Sequence, residues 1–443
     1  MKILIVYSQA STFTGTVQEH VRSFEKFSKH EIYKFDSIWL SNADFDYSVF
    51  DCIVFHYSIS IVDPRHIGEK MALALSDFQG LKVLFIQDEM RWVDQTCRKA
   101  QELGIGVIFS VVNEDVTRSI YRDAYFDNVR FETTLTGFVP EDLLTLNVPK
   151  YQDRAIDVSY RARKLPAWCG AFGQEKWIIG DRFSRDAERY GLKCDISSRE
   201  QDRIYGQKWI SFVSNSKAML GAESGSSFVD FSGEVAPAID VQERSDSPPT
   251  FEQLQETYLE GRDGDIVIHV ISPRCFEAAA LRTLMIMYPG EYSGILKEHT
   301  HYVSLARDHS NMDEVVEIIR DPVRAGAIID AAYEEIACSG KWTFQSFVRH
   351  FDAVVSEEAV KLPELGDRSV TETSLRGLEA HCLRRASLRA RFAVVAHDYR
   401  QKADRTVSTV AGWLPAPLDR ILENAWELLS ERLKRVAIRI LSR

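Results

Sequence analysis

The chain opens on an unbroken apolar run, "KILIVYS", turns polar at "STFTGT", and then takes up helical spacing at "VQEHVRSFEKF". A continuous apolar run suits a parallel strand covered on both faces, and apolar positions three and four apart suit an amphipathic helix. The order predicts strand, short loop at Gly15, helix: the opening of a doubly wound sheet. The runs "DCIVFHYS", "LKVLFIQDE" and "IGVIFSVV" repeat the strand signal, with helical stretches such as "GEKMALALSDF" and "WVDQTCRKAQEL" between them. "GFVPEDLLTLNVPKYQD" has two prolines and no period, and reads as a bridge.

A second α/β unit follows. "AIDVSYRAR" and "LKCDIS" read as strands around the helical "GQEKWIIGDRFSRDAERYG". Glu234 to Gly264 is a polar excursion, "IVIHVIS" and "HYVSLARD" read as further strands, and a helical stretch after them has a break at Pro322. The expected organisation is therefore a Rossmann-like domain at 1–140, a second at 154–340, and a helical extension at 341–443. In that extension Leu418, Ile421, Leu422, Ala425, Leu429, Leu433, Val436 and Ile440 fall at helical spacing, with basic residues opposite.

Composition changes this picture in two places. The formal charge of -11 argues against nucleic acid as a partner, but Thr371–Arg443 carries 14 Lys/Arg against 8 Asp/Glu. A basic amphipathic tail with Trp413 and Trp426 suits peripheral contact with an anionic membrane, or packing on the body. No apolar run approaches the roughly 20 residues of a membrane span. The seven cysteines are scattered and odd in number, which fits a reducing cytoplasm, at the inner membrane face if the tail binds lipid.

Two such units place ligands in a cleft at the carboxyl ends of their strands. His56 follows one strand, as a buried histidine or a hydrogen-bond donor into the cleft, and Gln87, Asp88 and Glu89 follow another, where the two carboxylates offer a general base or simply a loop or helix cap. Arg161 and Arg163 follow the first strand of the second unit and Lys176 lies in the first turn of the next helix, cations suited to a diphosphate. The small residues of "LGAESGSS", with Glu223, Ser224 and Gly225, suit backbone contact with an anion. In "ISPRCFEAAALRT", Arg274 and Glu277 open a helix, where a carboxylate either complements the dipole or holds the vicinal hydroxyls of a ribose. "PGEYSG", with Tyr292, Ser293 and Gly294, adds a second loop on that rim. His299 and His301 lack companions at metal-ligand spacing, so no metal site is expected.

Together these residues resemble a GT-B glycosyltransferase. Their C-terminal part is similar to the "glycosyl transferases group 1" domain and its spore-maturation-protein-like branch, of the kind found in bacterial surface-polysaccharide enzymes. By this resemblance Glu277 is the second acid of an E-x7-E signature and holds the donor ribose, while Arg163 (or Arg161) and Lys176 grip the pyrophosphate. His269 stands where the first acid, which touches the donor sugar, is expected, and Gln87-Asp88 stands for a His-Asp pair. The resemblance implies transfer from a nucleotide sugar to a glycan or lipid-linked acceptor, without cofactor or essential metal, with retention favoured over inversion. A GT-B nucleotide-sugar epimerase and an inactive scaffold acting through its tail are the alternatives.

Overall fold

The computed structural model describes residues 1–11, 15–121, 128–363 and 372–388. Chain contacts divide it into two units, Met1–Tyr7 with Thr14–Ser369, and Ser8–Phe13 with Val370–Arg443. In the second unit residues 372–388 are helical. The tail positions singled out above, Leu418 to Ile440 with Trp413 and Trp426, lie outside the described residues.

The first unit holds two parallel sheets. In the N-terminal one, β1 (Lys2–Tyr7), β2 (Glu31–Asp36), β3 (Cys52–Phe55), β4 (Leu81–Ile86), β5 (Val107–Ser110) and β6 (Arg130–Thr133) lie in the order β2-β1-β3-β4-β5-β6. In the other, β7 (Ile156–Arg161), β8 (Cys194–Ser197), β9 (Ser216–Gly221), β12 (Leu284–Met287) and β13 (Val303–Ser304) lie in the order β13-β12-β9-β7-β8. The apolar runs are buried on both faces, as a parallel sheet between helices requires. Pro322 does end a helix: Met312–Arg320 stops, and Asp321 caps Pro322–Ala332 by accepting from the Val323 and Arg324 amides.

Two elements differ from the sequence reading. "IVIHVIS" does not join the large sheet. Its core, β11 (Ile268–Val270), pairs antiparallel with β10 (Ser224–Ser226), placing Gly225 opposite His269. The small residues of "LGAESGSS" thus spend backbone groups on a ladder. The helix Phe344–Ala359, which begins in the stretch read as an extension, packs on the N-terminal sheet. Phe347, Val348, Phe351 and Val355 join Ile5, Phe24, Val54, Phe85 and Phe109 in one core, and Asp352 accepts from Ser28 Oγ at 2.7 Å and the Lys29 amide at 2.8 Å.

The ladder forms part of an arm that reaches across to the N-terminal sheet. Val229, Ile268 and Val270 bury themselves against Val93, Cys97, Val111, Val112, Ile120 and Tyr121. The Asp230 amide donates to Met90 O at 2.8 Å and the Asp94 amide to Phe231 O at 3.0 Å. At the bridge between domains, Thr136 Oγ1 donates to Ile271 O, and a Cβ on Gly137 would lie 2.8 Å from Pro273 Cβ.

Under the Phe344–Ala359 helix lies a buried histidine pair. The Ser58 amide donates to His56 Nδ1 at 3.0 Å, so the His56 proton sits on Nε2 and points at His20 Nδ1, 3.0 Å away. His20 is surrounded by the rings of Phe24, Tyr57, Phe85 and Phe347. Burial pushes His20 down to about 3 from an ordinary 6.5, and His56 down as well. Unfolded histidines take up protons below 6.5 while this pair stays neutral, so stability falls as pH drops from 6.5 toward 3, by about 1.4 kcal/mol per pH unit for each such group. Glu89 and Glu277 act in the opposite sense between 4.5 and about 7, because burial raises both. The informative quantity is therefore a difference: denaturant unfolding from pH 7 to 5 should lose less stability on acidification in His20→Phe than in the parent chain.

Candidate functional site

At the carboxyl end of β7 the chain passes through Arg161 and Arg163 into the helix Gly170–Ala187. Arg161 is fully committed. It donates to Asp195 Oδ1 at 2.7 Å, to the Tyr160, Asp195 and Asp202 carbonyls at 2.9–3.0 Å, and lies 4.4 Å from the Phe212 ring centroid. It fastens the β7–β8 edge and has little left for a ligand. Arg163 is exposed and, among the described residues, has no ion pair or hydrogen bond.

Lys176 is the seventh residue of its helix, in the second turn and not the first as the sequence suggested. Its Nζ donates to Ser224 Oγ at 2.8 Å. Burial, with the charges of Arg274 and then Arg163, pushes the ammonium down to about 7. Arg274 completes the group. Its Nη1 donates to Arg161 O at 2.6 Å, its Nε to Ser272 Oγ at 3.2 Å, and its guanidinium lies 5.2 Å from the Tyr160 ring centroid. Like charges brought together with no ion pair among them are an arrangement that could receive an anion.

Glu277 is the fifth residue of the helix Pro273–Ala280, whose start is set by Ser272 and Pro273. It is thus not a first-turn cap. Its Oε2 accepts from Trp209 Nε1 at 2.7 Å. Burial pushes the carboxyl up to about 7, against the hydrogen bond from Trp209 and the charge of Arg274, and Glu19 adds a smaller upward push. Sequence reading missed Trp209. Its only trace there is an aromatic pair in "KWISF", with the Phe212 centroid 5.9 Å from the indole.

The second rim is held by Glu223. Its Oε1 accepts from the Tyr292 amide at 2.7 Å and lies 3.5 Å from His269 Nδ1, while His269 Nε2 is 4.0 Å from Glu291 Oε2. These are ion-pair distances, and His269 Nδ1 has no hydrogen-bond partner among the described residues. Glu223, then Glu291, raises the imidazole above its ordinary value. Tyr292, Ser293 and Gly294 all have positive φ (46°, 56° and 69°), a strained run for the first two. The contact from Glu223 and the bond from the Ile271 amide to Ser293 Oγ, 3.1 Å, hold it.

On the N-terminal side the three acid–base candidates separate. Glu89 is buried, accepts from Ser110 Oγ at 2.7 Å and from the Tyr121 hydroxyl, and burial pushes it up to about 7. His56 is buried against His20. Neither faces a cleft. Asp88 is exposed, without an ion pair among the described residues, and its charge reaches Cys169, as do those of Arg163, Lys176 and Arg91. Gly15 opens the helix Gly15–Phe27, is exposed, and leaves open space where a Cβ would stand. A cavity of about 320 Å³ lies elsewhere, at the amino ends of β7 and β9, where Asp157 and Lys217 pair at 2.8 Å. That pair satisfies itself and Arg320 donates to the Tyr190 carbonyl, so the unpaired cations are the better guide to a ligand. Among the described residues no His, Cys, Asp and Glu group is arranged to hold a metal ion, and no helix is long and apolar enough to cross a membrane.

No family model and no curated relative matches the sequence. Solved structures do match in shape. An α-glucosyltransferase in complex with UDP-glucose and DNA containing an abasic site aligns over 80% of this chain and 99% of its own, at 10% identity and TM-score 0.50. Anabaena HepE in complex with UDP aligns over 81% and 100%, at 10% identity and TM-score 0.47. The pneumococcal O-GlcNAc transferase GtfA in complex with UDP and GlcNAc covers 73% of this chain and 59% of its own, at 11% identity and TM-score 0.41. The chain has the α/β GT-B fold, two Rossmann-like sheets of parallel strands.

The ladder that carries Ser224 to Lys176 depends on Gly225. Its φ is 142°, and a Cβ there would lie 1.8 Å from Ile268 O. Gly225→Ala should cost about 1–3 kcal/mol of stability, read as a lowered midpoint in thermal or denaturant unfolding.

Proposed function

We propose that this chain transfers a sugar from a nucleoside diphosphate sugar to a hydroxyl acceptor. The convergence of Arg163, Lys176 and Arg274 beside Glu277 carries the reading. The three cations would neutralise the diphosphate leaving group, and their charge stands in for the neutralisation that a divalent ion gives elsewhere. Glu277, oriented by Trp209, would accept from the ribose hydroxyls. His269, whose imidazole is raised by Glu223, and the Tyr292–Gly294 turn would border the sugar. The resemblance to retaining enzymes supports retention. Of the acid–base candidates Asp88 alone is exposed, and in a retaining reaction it would position the acceptor. A glycan or lipid-linked acceptor of a bacterial surface polysaccharide is the acceptor class we favour, with the basic tail as the membrane contact.

Calorimetry with UDP and GDP tests the donor site. Lys176→Met and Glu277→Ala should each weaken the preferred nucleotide at least about ten-fold. Unchanged affinity in both would remove the assignment. Affinity in the parent chain should also fall as pH rises from 7 to 9, because Lys176 in the free protein loses its proton near 7. Lys176→Met should flatten that profile. With a transfer assay in hand, EDTA should leave the rate unchanged and Asp88→Asn should raise the acceptor KM without abolishing kcat. A loss of kcat beyond about a hundred-fold would instead make Asp88 the base of an inverting reaction.

A further inference from the structure

Arg91 follows Asp88 by three residues, between β4 and the helix Val93–Leu103. Its guanidinium lies 4.1 Å from the Trp92 ring centroid and 5.2 Å from that of Trp168, which belongs to the other sheet's domain. Stacking on indole faces leaves the in-plane N–H groups of a guanidinium free, and those groups match the oxygens of phosphate or carboxylate.

The surrounding acids are engaged elsewhere. Asp230 bridges Arg91 through the backbone, but its carboxylate accepts from the Gly233 amide at 2.9 Å, the Ala236 amide at 2.8 Å and Ser232 Oγ at 3.3 Å. Asp240 takes Trp168 Nε1 at 3.1 Å, and Glu243 takes the Ala167 amide at 2.8 Å. Asp88 lies beyond ion-pair distance, and the Arg91 guanidinium has no ion pair or hydrogen bond among the described residues.

The stack itself is built with strain. Trp92 sits at φ 56°, ψ 30°, a left-handed conformation uncommon for a bulky residue. Its indole is seated on Gly233 so closely that a Cβ there would lie 2.1 Å from Trp92 Cδ1. Backbone strain maintained to hold a half-buried, unpaired cation points to a site.

We propose that Arg91 reads an anionic group, phosphate or carboxylate, on the acceptor. It would take the anion's oxygens edge-on while Trp92 and Trp168 hold its plane. The placement between β4 and the helix Val93–Leu103, on the N-terminal domain and three residues after Asp88, favours the acceptor over the donor diphosphate as the source. The acceptor assignment rests on the transferase reading above, whereas anion binding at Arg91 does not.

Calorimetry on the full chain distinguishes these. UDP is titrated into the parent, Arg91→Met and Lys176→Met proteins, and inorganic phosphate into the same proteins with and without saturating UDP. The expected result is unchanged UDP affinity in Arg91→Met, with phosphate binding to the UDP-saturated protein weakened at least ten-fold and restored in part by Arg91→Lys. A ten-fold loss of UDP affinity in Arg91→Met would overturn the acceptor assignment and give this cation to the donor. If UDP binds none of the proteins, the transferase reading fails, and phosphate binding without nucleotide still judges Arg91. A lower Tm in Arg91→Met with phosphate and UDP binding both unchanged would make Arg91 a stacking contact between domains and overturn the proposal.

Discussion

The cleft depends on one apolar seam. Val229, Ile268 and Val270 of the arm lie against Val93, Cys97, Val111 and Val112 of the N-terminal sheet. Each such side chain, fully buried, is worth about 1.5–3 kcal/mol. The seam works against a cost. Keeping a proton on Lys176 beside Arg163 and Arg274 is unfavourable by an amount on the order of a few kcal/mol. Apolar contacts placed away from the charges hold the architecture, and the charges themselves stay unpaired and available.

The same seam organises the backbone around it. Pairing β10 with β11 sends Ser224 to Lys176 and His269 to Glu223, so one ladder joins the cation cluster to the strained Tyr292–Ser293–Gly294 turn. The arm also lays Phe231 and Gly233 against the start of the Val93–Leu103 helix, which fixes Trp92 and with it Arg91. The Phe344–Ala359 helix then seals the face of the N-terminal sheet beneath which His20 and His56 are buried.

Much of this was legible in the sequence, because continuous apolar runs mark buried parallel strands without regard to tertiary detail. Helix and strand order and the break at Pro322 follow from that signal. What escaped is which way a side chain turns once the strand ends. His56 and Glu89 both follow apolar runs, yet both turn inward, whereas Asp88, next to Glu89, faces solvent. Arg161 and Arg163 differ by two residues, and only Arg161 meets Asp195. The β10–β11 pairing was hidden because "IVIHVIS" is as apolar as a central strand. Trp209 and Arg91 meet neighbours distant in sequence, Glu277 and Trp168, which no local pattern displays.

In the proposed donor site, unpaired cations near the end of β7 and the carboxylate of Glu277 receive a nucleoside diphosphate. A crystal structure of the chain soaked with UDP tests it most directly. The account predicts diphosphate oxygens within hydrogen-bond distance of Arg163, Lys176 and Arg274, and ribose hydroxyls on Glu277. Nucleotide bound instead in the cavity beside Asp157 and Lys217, or density for UDP nowhere on the chain, would contradict it.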